Sequence, residues 1–129
     1  MLKIINESKR EEAAVQSHLR VLLQHMLKCQ FQYDYPDKKS WRLSILQSHS
    51  SMLDEFIEIG KGSLYKKFYM NKMPFTRIYQ QARRLAATET GLPMSTFPIE
   101  SPWSREQLID ENFVDDFIIE YGQDNLAIL

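Results

Sequence analysis

The chain has 129 residues, of which 43% are hydrophobic and 26% are charged, and this composition fits one globular domain with a hydrophobic core. A single cysteine, Cys29, excludes a disulfide within the chain and indicates a reducing, cytoplasmic setting. No apolar run approaches the length of a membrane-spanning helix, and the start of the chain does not resemble a signal peptide. We therefore expect a soluble intracellular protein with no membrane association.

The net charge of −1 conceals an uneven distribution along the chain. Residues 1–86 carry a net charge of +7, whereas residues 87–129 carry −8. This asymmetry favours an acidic C-terminal segment that folds onto a basic body. In the alternative interpretation, the acidic segment competes with an anionic ligand for the basic surface.

The first predicted helix spans residues 8–32 and is the most apolar part of the chain. Ser8 and Glu11 have the spacing of a capping box at its start. Apolar residues cover most of its circumference and leave a narrow polar strip, which consists of Ser17, Arg20, Gln24 and Lys28. Such a helix belongs at the centre of a bundle, in contact with neighbours on at least two sides.

Three more helices complete the predicted bundle. Pro36 ends the first helix, and the short connection predicts that a helix over residues 40–60 runs antiparallel to it. A short helix over residues 64–70 and a longer one over residues 75–90 follow, and Gly91 ends the longer one.

Residues 92–129 are predicted to form an irregular acidic segment with short helices. Ser104 and Gln107 have the spacing of a second capping box, and Asn112 is predicted to cap the last helix. No strand-like alternation or internal repeat occurs. The sequence therefore predicts an all-α fold, a compact helical bundle that forms a single domain over residues 1–129.

Four stretches of the sequence are similar to one protein family. They are SHLRVLLQHMLKCQFQ at 17–32, SWRLSI at 40–45, ARRLAATETGLPMSTFP at 82–98 and SPWSREQLIDENF at 101–113. Together they resemble Domain of Unknown Function 29 (DUF29) over roughly residues 7–116. The resemblance implies an α-helical bacterial protein whose biochemical role is unassigned, so it supports the fold and leaves the activity open.

The chain departs from the family pattern in two respects. Family members usually carry a further apolar and acidic stretch before the segment that matches residues 8–32. Without it, the expected cover for the first helix is a second copy of this chain, packed through a symmetric interface. Cys29 stands where the family usually has Trp, which argues against a shared catalytic or ligand role for this thiol.

Zinc binding is one hypothesis for the first helix. His18, His25 and Cys29 project from one edge of it, and His49 on the second helix is a candidate further ligand. A metal-dependent enzyme that uses these four residues is therefore one alternative function. The opposing interpretation is that the histidines are hydrogen-bonded core residues and that Cys29 is a small hydrophobe. No HExxH pair, GxSxG turn or Gly-rich phosphate loop occurs, so no catalytic residue, metal or cofactor is predicted.

Glu89 lies on the apolar stripe of the helix over residues 75–90, in its last turn. The helix dipole and partial burial both disfavour a carboxylate there, so Glu89 needs a cationic or hydrogen-bonding partner. Arg42 or His25 is the expected partner, which predicts a buried polar link to the second helix. The alternative is a frayed and exposed helix end.

Nucleic-acid binding by the basic body is a second alternative function. The basic residues form three groups, which are Lys38, Lys39 and Arg42; Lys61, Lys66, Lys67 and Lys72; and Arg77, Arg83 and Arg84. Tyr65, Phe68 and Tyr69 lie among them, as stacking platforms for bases do. The acidic segment argues against this interpretation, because it repels phosphate.

The favoured function is a non-catalytic protein-interaction module that binds itself or another protein. Trp41 with Arg42, and Tyr79 with Arg83, are the predicted interface anchors, because aromatic residues and arginines commonly dominate binding energy. The same side chains are equally suited to a core. A homo-oligomer is the expected assembly.

Overall fold

A computed structural model describes residues 2–32, 35–59 and 69–124 of the chain. Every regular element in these ranges is helical, which confirms the predicted all-α fold. The elements are α1 (Leu2–Phe31), α2 (Lys39–Ile59), α3 (Phe75–Thr90), a 3₁₀ turn (Met94–Thr96), α4 (Arg105–Leu108) and α5 (Glu111–Tyr121). Residues 69–72 are also helical, whereas most of the helix predicted over residues 64–70 lies outside the described residues.

Two predicted helix starts are wrong. α1 begins at Leu2, so the predicted capping box at Ser8 and Glu11 lies inside the helix. α5 begins at Glu111 because Asp110, and not Asn112, is its N-cap residue. The Asp110 carboxylate accepts a hydrogen bond of 2.9 Å from the backbone N–H of Asn112. The error at α5 arises because Asp110 and Asn112 are both suitable caps, and the apolar pattern alone does not select one of them.

Two other predicted helix ends, at Ser104 and at Gly91, are confirmed. The hydroxyl of Ser104 accepts from the backbone N–H of Gln107 at 3.1 Å, and the Gln107 side chain accepts from the backbone N–H of Ser104 at 2.8 Å. These two bonds form the predicted capping box. At the end of α3, Gly91 adopts a left-handed conformation with φ of 73° and donates to the carbonyl of Ala87 at 2.9 Å.

α1 is the central helix of the bundle, as its apolar circumference predicts. Its fully buried residues include Val15, Leu19, Leu22, Leu23, Met26 and Leu27. Burial of each large aliphatic side chain stabilises the fold by about 1.5–3 kcal/mol. This apolar arc is thus covered within the single chain by α2, α3 and the segments that follow them.

Cross-helix contacts give the directions of the neighbouring helices. The Lys38 ammonium, just before α2, binds the Cys29 carbonyl at 2.9 Å, whereas His18 lies 3.9 Å from Glu55 near the other end of α2. α2 therefore runs antiparallel to α1. Arg20 contacts Gln81 on α3 at 3.0 Å and Lys28 contacts Glu89 at 2.7 Å, so α3 runs parallel to α1.

The segment after α3 packs back onto the bundle. Phe97, Trp103 and Leu108 are buried in the same core as α1. The Arg42 guanidinium binds the Asp124 carboxylate at 2.9 Å, which joins the basic and acidic portions of the chain. Buried apolar side chains and hydrogen bonds to backbone carbonyls also attach this segment, so charge is only one part of the attachment.

Candidate functional site

The four predicted zinc ligands have separate surroundings. His18 faces Glu55 at 3.9 Å, the His25 Nδ1 contacts the Val21 carbonyl at 2.8 Å, and the His49 Nε2 contacts the Leu108 carbonyl at 2.9 Å. In the ranges that the structure covers, no three His, Cys, Asp or Glu side chains come together as a metal site. The structure therefore does not bring the four predicted ligands together as a zinc site.

Cys29 is fully buried. Burial raises the pKa of its thiol to about 11, although nearby lysines, Lys38 first among them, act in the opposite direction. The thiolate is the nucleophilic form of cysteine, so this thiol is unreactive near neutral pH. Burial also lowers the pKa of His25, which keeps its imidazole neutral at pH 7.

Glu89 has different partners from those predicted. The Lys28 ammonium lies 2.7 Å from one carboxylate oxygen, and the Gln24 side chain donates to the other. Arg42 binds Asp124 and the Gly122 carbonyl instead, and His25 bonds to its own helix. The polar link therefore joins α3 to α1, and not to α2, because the last turn of α3 packs on the polar strip of α1.

Trp41 and Arg42, one predicted pair of interface anchors, contact other parts of the same chain. The Trp41 ring stacks on Tyr35 with a centroid distance of 4.7 Å, and the Lys28 ammonium lies 5.2 Å from the Trp41 ring centroid. The Arg42 guanidinium donates to the Gly122 carbonyl at 2.8 Å as well as to Asp124. Both residues thus stabilise the packing of α2.

Tyr79 and Arg83, the second predicted pair, attach the segment after α3. The buried Tyr79 hydroxyl donates to the Pro98 carbonyl at 2.6 Å, and burial raises the pKa of this phenol to about 12. The Arg83 guanidinium donates to the carbonyls of Phe97 at 3.1 Å and Met94 at 2.9 Å. The contacts of this pair therefore also lie within the chain.

The polar strip of α1 forms one edge of the contact between α1 and α3. Arg20, Gln24 and Lys28 recur at steps of four residues, so they lie on one face of the helix. Arg20 donates to the Gln81 side chain at 3.0 Å, while Gln24 and Lys28 bind Glu89. The strip therefore meets a polar face of α3.

At the Arg20 end, the contact between α1 and α3 opens into a cleft of about 550 Å³. We call it the arginine cleft, and it is lined by Arg20, Arg77, Gln80, Gln81, Arg84 and Leu85. Arg77 and Arg84 lie seven residues apart on α3, about 10 Å along the helix axis, and both are exposed. Leu85 adds an apolar surface and is 40% exposed.

The arginines of this cleft lack acidic partners in the described part of the chain. Among the residues that the structure describes, Arg20, Arg77 and Arg84 form no ion pair with a carboxylate. A guanidinium group binds a carboxylate or phosphate through two parallel hydrogen bonds. The cleft can therefore hold an anionic group beside an apolar one.

Sequence analysis found only part of this site. Arg77 and Arg84 belong to the predicted basic body, whereas Arg20 belongs to the polar strip, for which the sequence predicts no function. The sequence signal that could have located this site is the match between the polar strip of α1 and the polar face of α3. Periodicity identifies each face, but the helix-to-helix register that brings Arg20 to Arg84 is a tertiary property.

None of the helices in the described part of the chain combines the length and apolar character needed to cross a bilayer. No curated protein and no solved structure matches the chain. Comparison with known protein families matches residues 3–114 to DUF29, a domain of unknown function, and this range contains the whole arginine cleft. Because the match covers most of the chain, the protein belongs to the DUF29 family.

Proposed function

We propose that this protein is a non-catalytic interaction module that binds an acidic protein segment in the arginine cleft. The carrying observation is the convergence of Arg20, Arg77 and Arg84 beside the exposed Leu85. A carboxylate-rich segment with an apolar side chain complements this surface. A reducing, cytoplasmic setting fits the proposal, because Cys29 is a free and buried thiol.

The surroundings of the reactive side chains favour binding over catalysis. Cys29 is fully buried, and its thiol has a pKa of about 11. His49 is buried and hydrogen-bonded to the Leu108 carbonyl. A nucleophile or general base needs access to substrate and a pKa near the working pH, and neither side chain meets both requirements.

Several contacts favour an acidic protein over a nucleic acid. Tyr69, one of the predicted stacking residues, is buried and donates to the Glu12 carbonyl at 3.1 Å. Three of the ten predicted basic residues, Lys38, Arg42 and Arg83, bind carbonyls within the chain. Single-strand binding relies on exposed aromatic platforms, whereas the arginine cleft offers Leu85.

The direct test is the binding of a fluorescent poly-glutamate peptide, measured by fluorescence anisotropy. We expect the full chain to bind, Arg84→Gln to weaken binding by about tenfold, and the Arg77→Gln/Arg84→Gln variant to lose most of it, since a charge-assisted hydrogen bond contributes about 1.5–3 kcal/mol. Binding should also weaken as salt rises.

Arg10→Gln is the matched control, because Arg10 is exposed on α1 and lies outside the cleft. We expect this variant to bind as the unaltered chain does. Absence of binding, or an equal loss in Arg10→Gln and Arg84→Gln, would overturn the proposal. Tighter, cleft-dependent binding of a single-stranded oligonucleotide of equal charge would replace it with nucleic-acid binding.

A further inference from the structure

A second groove lies between α2 and α5, on a different pair of helices from the arginine cleft. It has a volume of about 280 Å³, and we call it the acidic groove. It is lined by Leu46, His49, Ser50, Leu53, Asp54, Ile57, Glu111 and Asp115. The two sites have no lining residue in common.

The acidic groove combines carboxylates with exposed aliphatic side chains. Leu46 is 44% exposed and Ile57 is 72% exposed. Asp54, Glu111 and Asp115 form no ion pair with a lysine or arginine in the described ranges of the chain. A mixed surface of this kind, with apolar groups beside charges of one sign, is typical of a protein-binding site.

The acidic groove and the arginine cleft are complementary in charge and in polarity. Three guanidinium groups in one correspond to three carboxylates in the other, and Leu85 corresponds to Leu46 and Ile57. From this correspondence we infer that the acidic groove of one copy docks in the arginine cleft of a second copy. The inference rests on the proposed function and names the partner as the same chain.

Docking of this kind gives partners to charged and apolar side chains that a single chain leaves exposed. Arginine and carboxylate form paired hydrogen bonds, and the contact removes Ile57 and Leu85 from water. Two different surfaces meet, so the assembly is head to tail and grows into a ring or an open chain. It differs from the expected symmetric interface over α1, whose apolar arc is covered within one chain.

The test uses two double variants of the full chain and measures mass by sedimentation velocity at low salt. The cleft variant is Arg77→Gln/Arg84→Gln, and the groove variant is Asp54→Asn/Asp115→Asn. We expect the unaltered chain to gain mass with concentration, and each variant alone to associate at least about tenfold more weakly. All four positions are exposed, so the folded state should tolerate these changes.

An equimolar mixture of the two variants gives the decisive result. The groove variant retains an intact cleft, and the cleft variant retains an intact groove, so one docking contact remains and the mixture should form a one-to-one dimer. Asp116→Asn and Arg10→Gln alter exposed charges outside both sites and serve as controls that assemble normally. A monomeric mixture, or variants that assemble as the unaltered chain does, would overturn the inference.

The inference and the proposed function can fail separately. A chain that stays monomeric at every concentration, yet binds poly-glutamate through Arg77 and Arg84, overturns self-docking and leaves the interaction module intact with a different acidic partner. A chain that stays monomeric and does not bind the peptide overturns both.

Discussion

The two ends of the polar strip on α1 meet α3 in different ways. At one end, Lys28 is 6% exposed in its side chain and is paired with Glu89. At the other end, Arg20 faces Gln81 and shares a cleft with Arg77 and Arg84. Both ends belong to the same helix face and contact the same neighbouring helix, so the difference comes from what α3 presents. The comparison separates cations that stabilise the fold from cations available to a ligand.

A second buried cation, Lys38, lies near the end of α1 where Lys28 pairs with Glu89, and it also stabilises the fold. The Lys38 ammonium donates to the Cys29 carbonyl at 2.9 Å and to the Tyr121 carbonyl at 3.0 Å. These carbonyls lie near the C-terminal ends of α1 and α5, where the last carbonyls lack partners within the helix. One ammonium group thus stabilises two helix ends and attaches the last described helix to the start of α2.

Lys38→Met should have the largest effect on stability. It leaves two carbonyl groups without their cationic donor, and each unsatisfied buried acceptor costs about 1–3 kcal/mol. We expect a loss of about 2–4 kcal/mol in the free energy of unfolding, measured by urea denaturation. Lys39→Met changes an exposed neighbour and should cost less than about 0.5 kcal/mol. Equal losses of stability in the two variants would contradict the structural role of Lys38.

The Lys28–Glu89 pair should respond asymmetrically. Glu89 is 47% exposed in its side chain, whereas Lys28 is buried. Glu89→Ala therefore leaves a buried cation without its carboxylate, and we expect a loss of about 1–2 kcal/mol, below the range for a fully buried pair because water screens this one. Lys28→Met leaves Glu89 partly solvated and should cost less. A larger loss for Lys28→Met in thermal or urea unfolding would contradict this account.

Tyr79→Phe tests the attachment of the segment after α3. The variant should lose about 1 kcal/mol at neutral pH, because the Pro98 carbonyl loses its donor. Burial raises the pKa of Tyr79 from about 10 to about 12, so the folded state retains a proton that the unfolded state loses. The stabilisation is complete below pH 10 and disappears as pH rises toward 12. Urea unfolding between pH 10 and pH 12 should show a smaller loss of unfolding free energy for Tyr79→Phe than for the unaltered chain. An equal loss in both proteins would exclude the Tyr79 phenol as its source.

Arg77→Gln/Arg84→Gln should have the smallest effect on stability. Both arginines are exposed and form no ion pair with a described carboxylate, so the free energy of unfolding should change by less than about 0.5 kcal/mol. The same variant should lose peptide binding. A loss of more than about 1 kcal/mol would mean that the arginine end, like the lysine end, stabilises the fold.

Helix positions followed from the sequence wherever a local signal was strong. The Ser104–Gln107 capping box and the left-handed Gly91 are formed by neighbouring residues, and both were predicted correctly. The start of α1 was wrong because its helix continues to Leu2, before the apparent cap at Ser8. A capping motif raises the probability of a helix start, but it does not prevent the helix from extending further.

The candidate site was less predictable than the fold. Glu89 was recognised as needing a partner, yet the predicted partners Arg42 and His25 were wrong, because α3 lies parallel to α1 and places Glu89 beside Lys28. Leu85 fits the apolar stripe of α3 but lines the edge of the contact, where it remains partly exposed. Periodicity gives the face of each helix, and the width of the contact decides which edge residues are buried.

The sequence by itself determined the helical class, the central position of α1 and the opposite charges of the two portions of the chain. Each of these depends only on residue type and on spacing along the chain, so it can be predicted without knowledge of the tertiary contacts. Tertiary structure alone decided that Lys28 contacts a carboxylate, whereas Arg20 contacts Gln81 and shares a cleft with Arg77 and Arg84. That outcome depends on the register between two helices far apart in the sequence, which is set by the packing of the whole core.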